Sequence, residues 1–159
     1  MNNLKIRSND HIEKEINITA PSLYSGVSSA YNVTLFDDNT KYFGTNDNSV
    51  PENNWICFEF LIHKVVLYGY TIRSHPYDKN YSHAKNWVIQ CSNDGNSWVT
   101  VDKRENCEYL NGLNFVHTFE MNNKNPNAFK YVRMQITGKN CQQYYYLFMN
   151  SIEFYGKLV

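Results

Sequence analysis

Short runs of alternating polar and apolar residues recur along the chain, and turn-forming residues separate them. The runs that predict strands cover residues 15–20, 55–61, 64–73, 87–91, 113–121, 129–137 and 148–155. A period of two is typical of strands that bury one face. No stretch keeps the spacing of three and four residues that a long amphipathic helix needs. The pattern predicts an all-β protein, and regularly spaced short strands indicate a sandwich or a barrel.

The clearest signal lies at residues 85–101, where two short strands flank a tight turn. Asn93, Asp94 and Gly95 tolerate positive φ, so the backbone can reverse there. Trp87 and Trp98 stand on either side of the turn, and each has a large apolar body that needs cover. We therefore expect a second layer over this hairpin and a charged loop after it, from residue 102 to 111.

Composition places limits on the class of protein. The chain has 159 residues, which favours one domain with its own core, and we predict a polar extension at 1–14 followed by the domain at 15–159. The formal net charge of +0 argues against a nucleic-acid partner. The first 15 residues lack the apolar segment of a signal peptide and the four cysteines are scattered, so a cytoplasmic location is expected.

Three motifs stand in an order that resembles the discoidin family, the coagulation factor V/VIII type C domains. They are SNDGNSW at 92–98, YVRM at 131–134 and IEFYG at 152–156. Residues 18–22 and 55–60 also match, so the resemblance covers most of the chain. Residues 72–74 and 83–89 are similar to the intracellular branch of the family, whose domains often follow a BTB domain.

The resemblance implies an eight-stranded antiparallel jelly-roll β-sandwich of the galactose-binding type. Members of the family bind ligands at loops on one end of the sandwich and do not catalyse reactions. The corresponding loops here are residues 22–30, 44–53 and 74–85. No catalytic motif is found in the sequence. We expect a carbohydrate-binding module, with a protein-interaction adaptor using the same loops as the alternative.

A sugar site needs an aromatic face for the ring and planar polar side chains for the hydroxyls. The predicted loops offer both types of side chain. The candidates are Tyr24, Asn46, Arg73, His75, Tyr77, Tyr81 and His83. The alternative is that each is an ordinary solvated loop residue, with Arg73 ending a strand.

An acidic turn is predicted at residues 36–40, and its oxygen atoms are candidate ligands for a metal ion. The resemblance implies a structural calcium between this turn and the last strand, although no cofactor is required for binding. The candidate ligands are Asp37, Asp38, Thr40 and Glu153. The alternative is a turn whose shape alone uses Asp and Asn. Docking to a membrane is not expected, because the loops carry Tyr, His and Asn without a basic cluster.

Overall fold

The computed structural model describes residues 12–121 and 125–159. Within those residues one helical turn, α1 (Ile12–Glu15), precedes ten strands, and two 3₁₀ turns lie at Ala30–Thr34 and Pro51–Asn53. The strands are β1 (Ile16–Thr19), β2 (Phe43–Gly44), β3 (Trp55–Phe60), β4 (Val65–Arg73), β5 (Trp87–Ser92), β6 (Val99–Arg104), β7 (Val116–Glu120), β8 (Tyr131–Ile136), β9 (Phe148–Met149) and β10 (Ser151–Leu158).

Eight of these strands form two antiparallel layers in the part of the chain that the structure describes. One sheet has the order β1-β3-β8-β5-β6 and the other has the order β10-β4-β7. The two-residue strands β2 and β9 pair with each other outside both sheets. The predicted eight-stranded antiparallel sandwich is therefore confirmed.

Side-chain alternation explains how the layers meet. In β8, Val132, Met134 and Ile136 are fully buried, and the residues between them are only partly covered. Phe58 of the larger sheet meets Phe154 of the smaller one edge to face, with ring centroids 4.9 Å apart. Burial of these apolar faces against each other provides the main stabilising free energy of the fold.

The predicted hairpin is confirmed as β5 and β6, but only one of its two tryptophans enters the core. Trp87 is fully buried. Trp98 is partly exposed and covers the guanidinium of Arg133, which lies 4.0 Å from the ring centroid. The expectation that both rings need a second layer was wrong for Trp98, because a cation–π contact with Arg133 covers it instead.

A bulge in β6 brings a carboxylate into the core. Ile89 is opposite Asp102 and Gln90 is opposite Thr100, so the register skips one residue and Val101 and Asp102 are both buried. Position 102 therefore belongs to the strand, and the predicted charged loop begins later.

Asp102 is held by a dense set of donors. Its Oδ2 accepts hydrogen bonds from the Tyr70 hydroxyl at 2.6 Å and from Arg104 Nε at 2.9 Å. Arg104 Nη2 donates to Oδ1 at 3.1 Å, and Trp87 Nε1 donates to the Tyr70 hydroxyl at 2.9 Å. Burial raises the pKa of Tyr70, and the neighbouring Asp102 raises it further. The phenol therefore stays protonated and available as a donor.

The predicted extension at 1–14 lies outside the described residues except for positions 12–14, which belong to the helical turn before β1. The four cysteines, Cys57, Cys91, Cys107 and Cys141, are free thiols. No helix in the described ranges is long and apolar enough to cross a membrane.

Candidate functional site

An aromatic concavity of about 450 Å³ opens at the end of the sandwich where β4 stops and β10 begins. We call it the rim cavity. Five segments contribute to it: the loop after β1, the residue before β2, the β4–β5 loop, the loop before β9 and β9 itself. Its lining residues are Tyr24, Tyr42, His75, Tyr77, Tyr81, Ser82, Gln142, Tyr144, Tyr146 and Phe148.

Phe148 forms the floor of the rim cavity. Its ring contacts Tyr24 at 4.9 Å, His75 at 5.2 Å and Tyr42 at 5.8 Å, measured between ring centroids. The ring can lie there because position 44 has no side chain: a Cβ on Gly44 would stand 2.5 Å from Phe148 Cε1. Glycine at this position thus permits the close approach between β2 and the aromatic floor.

Two buried histidines lie beside that floor. His75 is 3% exposed and His83 is fully buried, and their ring centroids are 4.8 Å apart. His83 Nε2 contacts the carbonyl oxygen of Asp78 at 2.7 Å. The Nδ1 atoms of both rings are buried without a hydrogen-bond partner. The ring of His75 lines the cavity, whereas its unsatisfied Nδ1 is buried in the protein.

The buried histidines predict a pH dependence of stability. Burial, and then repulsion from His83, lower the pKa of His75 to about 3. Between that value and the ordinary histidine pKa, the unfolded chain therefore binds more protons than the native chain. The stabilisation by neutral His75 is fully present above the ordinary histidine pKa, and it is lost as the pH falls towards the native pKa. We expect a loss of about 2 kcal/mol from His75 between pH 7 and pH 5.

Denaturant unfolding at these two pH values measures this loss. His75→Gln removes the titrating group and should reduce the difference between them. His63→Gln is the matched control, because His63 is exposed. An equal pH dependence in the wild-type protein and the His75→Gln variant would contradict the prediction.

The mouth of the rim cavity carries exposed tyrosines. Tyr77 is 47% exposed, Tyr81 is 44% exposed and Tyr144 is 40% exposed. Deeper inside, burial raises the pKa of the Tyr42 hydroxyl, and the neighbouring Tyr77 and Tyr24 raise it further. Tyr42 therefore keeps its proton at neutral pH. The cavity combines apolar ring faces with neutral hydrogen-bonding groups.

The structure brings together four of the seven residues predicted for the ligand site: Tyr24, His75, Tyr77 and Tyr81 line the rim cavity. His83 lies behind His75 and does not line it. Asn46 is exposed in its loop, where its backbone N–H donates to Ser22 Oγ. Asn46 and Arg73 are absent from the lining of the rim cavity.

The sequence predicts a loop at 139–145 but does not assign it, or the floor residue Phe148, to the ligand site. The lining residues that it did not predict are Tyr42, Ser82, Gln142, Tyr144, Tyr146 and Phe148. The run of three tyrosines at 144–146 was the available signal, because consecutive aromatic residues in a polar loop favour contact with a ligand. Ser82 Oγ donates to Gln142 Oε1 at 2.7 Å, which ties this loop to the β4–β5 loop.

Arg73 lies in a different, smaller cavity of about 280 Å³, together with Asp37 and Glu153. Its Nη1 donates to Asn39 Oδ1 at 2.9 Å. Glu153 Oε2 accepts a hydrogen bond from the Tyr155 hydroxyl at 3.1 Å, and its Oε1 is buried without a hydrogen-bond partner. Arg73 is therefore held against the acidic turn and does not serve the rim cavity.

The residues predicted to bind calcium are arranged in two groups. Asp37 and Glu153 face the smaller cavity, whereas Asp38 Oδ1 accepts hydrogen bonds from the backbone N–H and the hydroxyl of Thr40. These hydrogen bonds lower the pKa of Asp38. Among the described residues, no group of three or more His, Cys, Asp or Glu side chains is placed to hold a metal ion.

The backbone of the acidic turn does not fit a cation either. Asn150 Nδ2 donates to the carbonyl oxygens of Asp38 and Lys41 at 2.9 and 2.7 Å. An amide donor therefore lies against these two carbonyl oxygens, so a cation could use them as ligands only by displacing the Asn150 side chain.

Comparison with solved structures identifies the architecture. A family 32 carbohydrate-binding module of a Clostridium perfringens glycoside hydrolase, in complex with GalNAc-β-1,3-galactose, is similar over 89% of this chain and 95% of its own, with a TM-score of 0.66 and 14% identity. A chitosan-binding module from Paenibacillus is similar over 89% of this chain and 96% of its own, with a TM-score of 0.65 and 18% identity. The chain has the discoidin, galactose-binding-like fold. The predicted resemblance is confirmed at that level.

Sequence comparison adds a relative of another kind. The Drosophila melanogaster E3 ubiquitin-protein ligase Ufd4 is 26% identical over 118 residues, which is 72% of this chain. The chain spans only 4% of the length of that ligase. No protein-family model matches the chain.

Proposed function

We propose that this discoidin-type domain is a non-catalytic module that binds carbohydrate in the rim cavity. The observation that carries the proposal is the concave cluster of aromatic rings, with polar groups of Tyr42, Ser82 and Gln142 at its wall. Two fold neighbours, one in complex with GalNAc-β-1,3-galactose and one described as chitosan-binding, support it.

The chemistry of the rim cavity suits a pyranose ring. Apolar C–H groups of a sugar pack on aromatic faces, and Tyr77 and Tyr81 supply two rings 5.5 Å apart at the mouth. Sugar hydroxyls need donors and acceptors at the wall, which the side chains of Gln142, Ser82 and Tyr42 provide. Neutral polar groups favour an uncharged glycan over an anionic one.

Truncation of an exposed ring tests the proposal. Tyr77→Ala should weaken glycan binding about five- to thirtyfold, because loss of one stacked aromatic ring costs roughly 1–2 kcal/mol. Stability should change little, since Tyr77 is 47% exposed. A glycan array that includes GalNAc-β-1,3-galactose and chitosan oligosaccharides identifies the sugar, and calorimetric titration measures the loss.

Tyr68→Ala provides the matched control, because Tyr68 is also an exposed tyrosine, 42% exposed, but does not line the rim cavity. It should leave glycan binding unchanged. No binding by the wild-type domain to any glycan on the array, or equal binding by the Tyr77→Ala variant, would contradict the proposal.

A protein-interaction adaptor is the second candidate. The similarity to part of an E3 ubiquitin-protein ligase favours it, since the matched region is a small segment of a large protein. In that case the exposed tyrosines at the mouth would contact a protein surface. Pull-down with the wild-type domain and the Tyr77→Ala variant, beside the glycan array, distinguishes the two functions.

A further inference from the structure

Two turns of the chain have the same sequence pattern and the same internal hydrogen bonds. They are Asp-Asn-Thr-Lys at 38–41 and Asp-Asn-Ser-Val at 47–50. In the first turn, Asp38 Oδ1 accepts from the backbone N–H of Thr40 at 2.9 Å and from its hydroxyl. In the second, Asp47 Oδ1 accepts from the backbone N–H of Ser49 at 2.7 Å and from its hydroxyl.

A fully buried asparagine side chain donates hydrogen bonds to the backbone of each turn. Asn150 Nδ2 donates to the carbonyl oxygens of Asp38 and Lys41 at 2.9 and 2.7 Å. Asn54 Nδ2 donates in the same way to the first and last carbonyl oxygens of the second turn, at 2.8 and 3.0 Å. Carbonyl oxygens only accept, so the NH₂ group, and not Oδ1, must face each pair.

We propose that Asn150 and Asn54 lock these turns with amide donors in the role that a bound cation would otherwise serve, so that the fold and its rim form without calcium. The Asn150 amide already bonds both carbonyl oxygens of the 38–41 turn, so a cation could take them as ligands only by displacing it. Each buried amide instead supplies two N–H groups, which satisfy both carbonyls without a metal.

The second residue of each turn is an asparagine that accepts a hydrogen bond from another part of the chain. Asn39 Oδ1 accepts from Arg73 Nη1 at 2.9 Å. Asn48 Oδ1 accepts from the backbone N–H of Tyr145 at 2.8 Å, which anchors the loop that carries Tyr144 and Tyr146 to the rim. The Asn54 lock therefore supports the rim cavity, whereas the Asn150 lock supports the acidic turn.

Replacement of a single side-chain group tests the Asn150 lock. Asn150→Asp keeps the shape but places a carboxylate oxygen against two carbonyl oxygens, so a cation is needed to relieve the repulsion. In chelator, we expect Asn150→Asp and Asn150→Ala each to lower Tm by about 5–10 °C. Millimolar calcium should raise the Tm of the aspartate variant by about 5 °C or more and leave the alanine variant unchanged.

Wild-type protein gives the decisive control, because it needs no substitution and folds whatever the variants do. Its Tm should be the same in calcium and in chelator. A saturable rise in the wild-type Tm with calcium would overturn the proposal, and so would an Asn150→Ala variant as stable as the wild-type protein.

Hydrogen exchange tests the Asn54 lock. Asn54→Ala should raise the exchange rate of the Tyr145 amide about tenfold or more, while Asn150→Ala should leave it unchanged. Equal exchange at Tyr145 in both variants would contradict a specific lock at the rim. These readouts involve no ligand, so they stand or fail independently of the proposed carbohydrate binding.

Discussion

Replacing Asp102 with alanine is expected to lower the free energy of unfolding by about 3–5 kcal/mol. The carboxylate accepts two hydrogen bonds from Arg104 and one from the Tyr70 hydroxyl, and the residue is only 9% exposed. Its loss leaves the Tyr70 donor buried without an acceptor and removes the partner of a charged guanidinium. Denaturant unfolding at neutral pH measures the change.

A double variant distinguishes this network from simple loss of packing. Arg104→Met combined with Asp102→Ala removes both charges, so it should cost less than the sum of the two single variants. Arg104→Met alone should also be destabilising, because it leaves the Asp102 carboxylate, whose side chain is only 7% exposed, without its charged partner. A loss below about 1 kcal/mol for Asp102→Ala would contradict the prediction.

The buried charge of Asp102 explains why the end of β6 was predicted wrongly from the sequence. The alternation at 129–137 predicted β8 correctly, because each apolar side chain faces one core and needs no special partner. Asp102 is charged and was assigned to a loop, although β6 continues to Arg104. Its burial depends on Tyr70 and Arg104, and Tyr70 lies on a distant strand whose position the sequence does not reveal.

Trp98 was mispredicted in the opposite direction: burial in the core was expected, but the side chain lies outside it. A large aromatic residue beside a strand predicts burial in the core, because that is where most of its apolar surface can be removed from water. The side chain instead packs on Arg133 at the outer face of the larger sheet. Local pattern indicates that such a ring needs cover, but it does not indicate which layer provides the cover.

The rim cavity was predicted only in part for a related reason. Tyr77 and Tyr81 are near one another in sequence and lie in a loop that the resemblance already indicated. Phe148 looked like the start of an ordinary strand. Its role depends on Gly44, which is more than a hundred residues earlier and allows the ring to lie against β2.

Phe148→Ala is expected to combine a large loss of stability with loss of the rim cavity. The side chain is 7% exposed and contacts the rings of Tyr24, Tyr42 and His75. Truncation of a buried phenylalanine costs about 3–5 kcal/mol, because apolar contacts are lost and a void remains. Without the floor, the surrounding rings lose their common support, so glycan binding should fall more than tenfold.

Two further variants separate these two effects. Phe58→Ala removes a ring of equal size that packs on Phe154 in the sandwich core, away from the rim cavity. It should cost similar stability and leave glycan affinity unchanged at a temperature where the variant is folded. Phe148→Leu keeps most of the volume, so it should recover most of the stability. Full binding by Phe148→Ala, or an equal loss of binding in Phe58→Ala, would show that Phe148 does not organise the rim cavity.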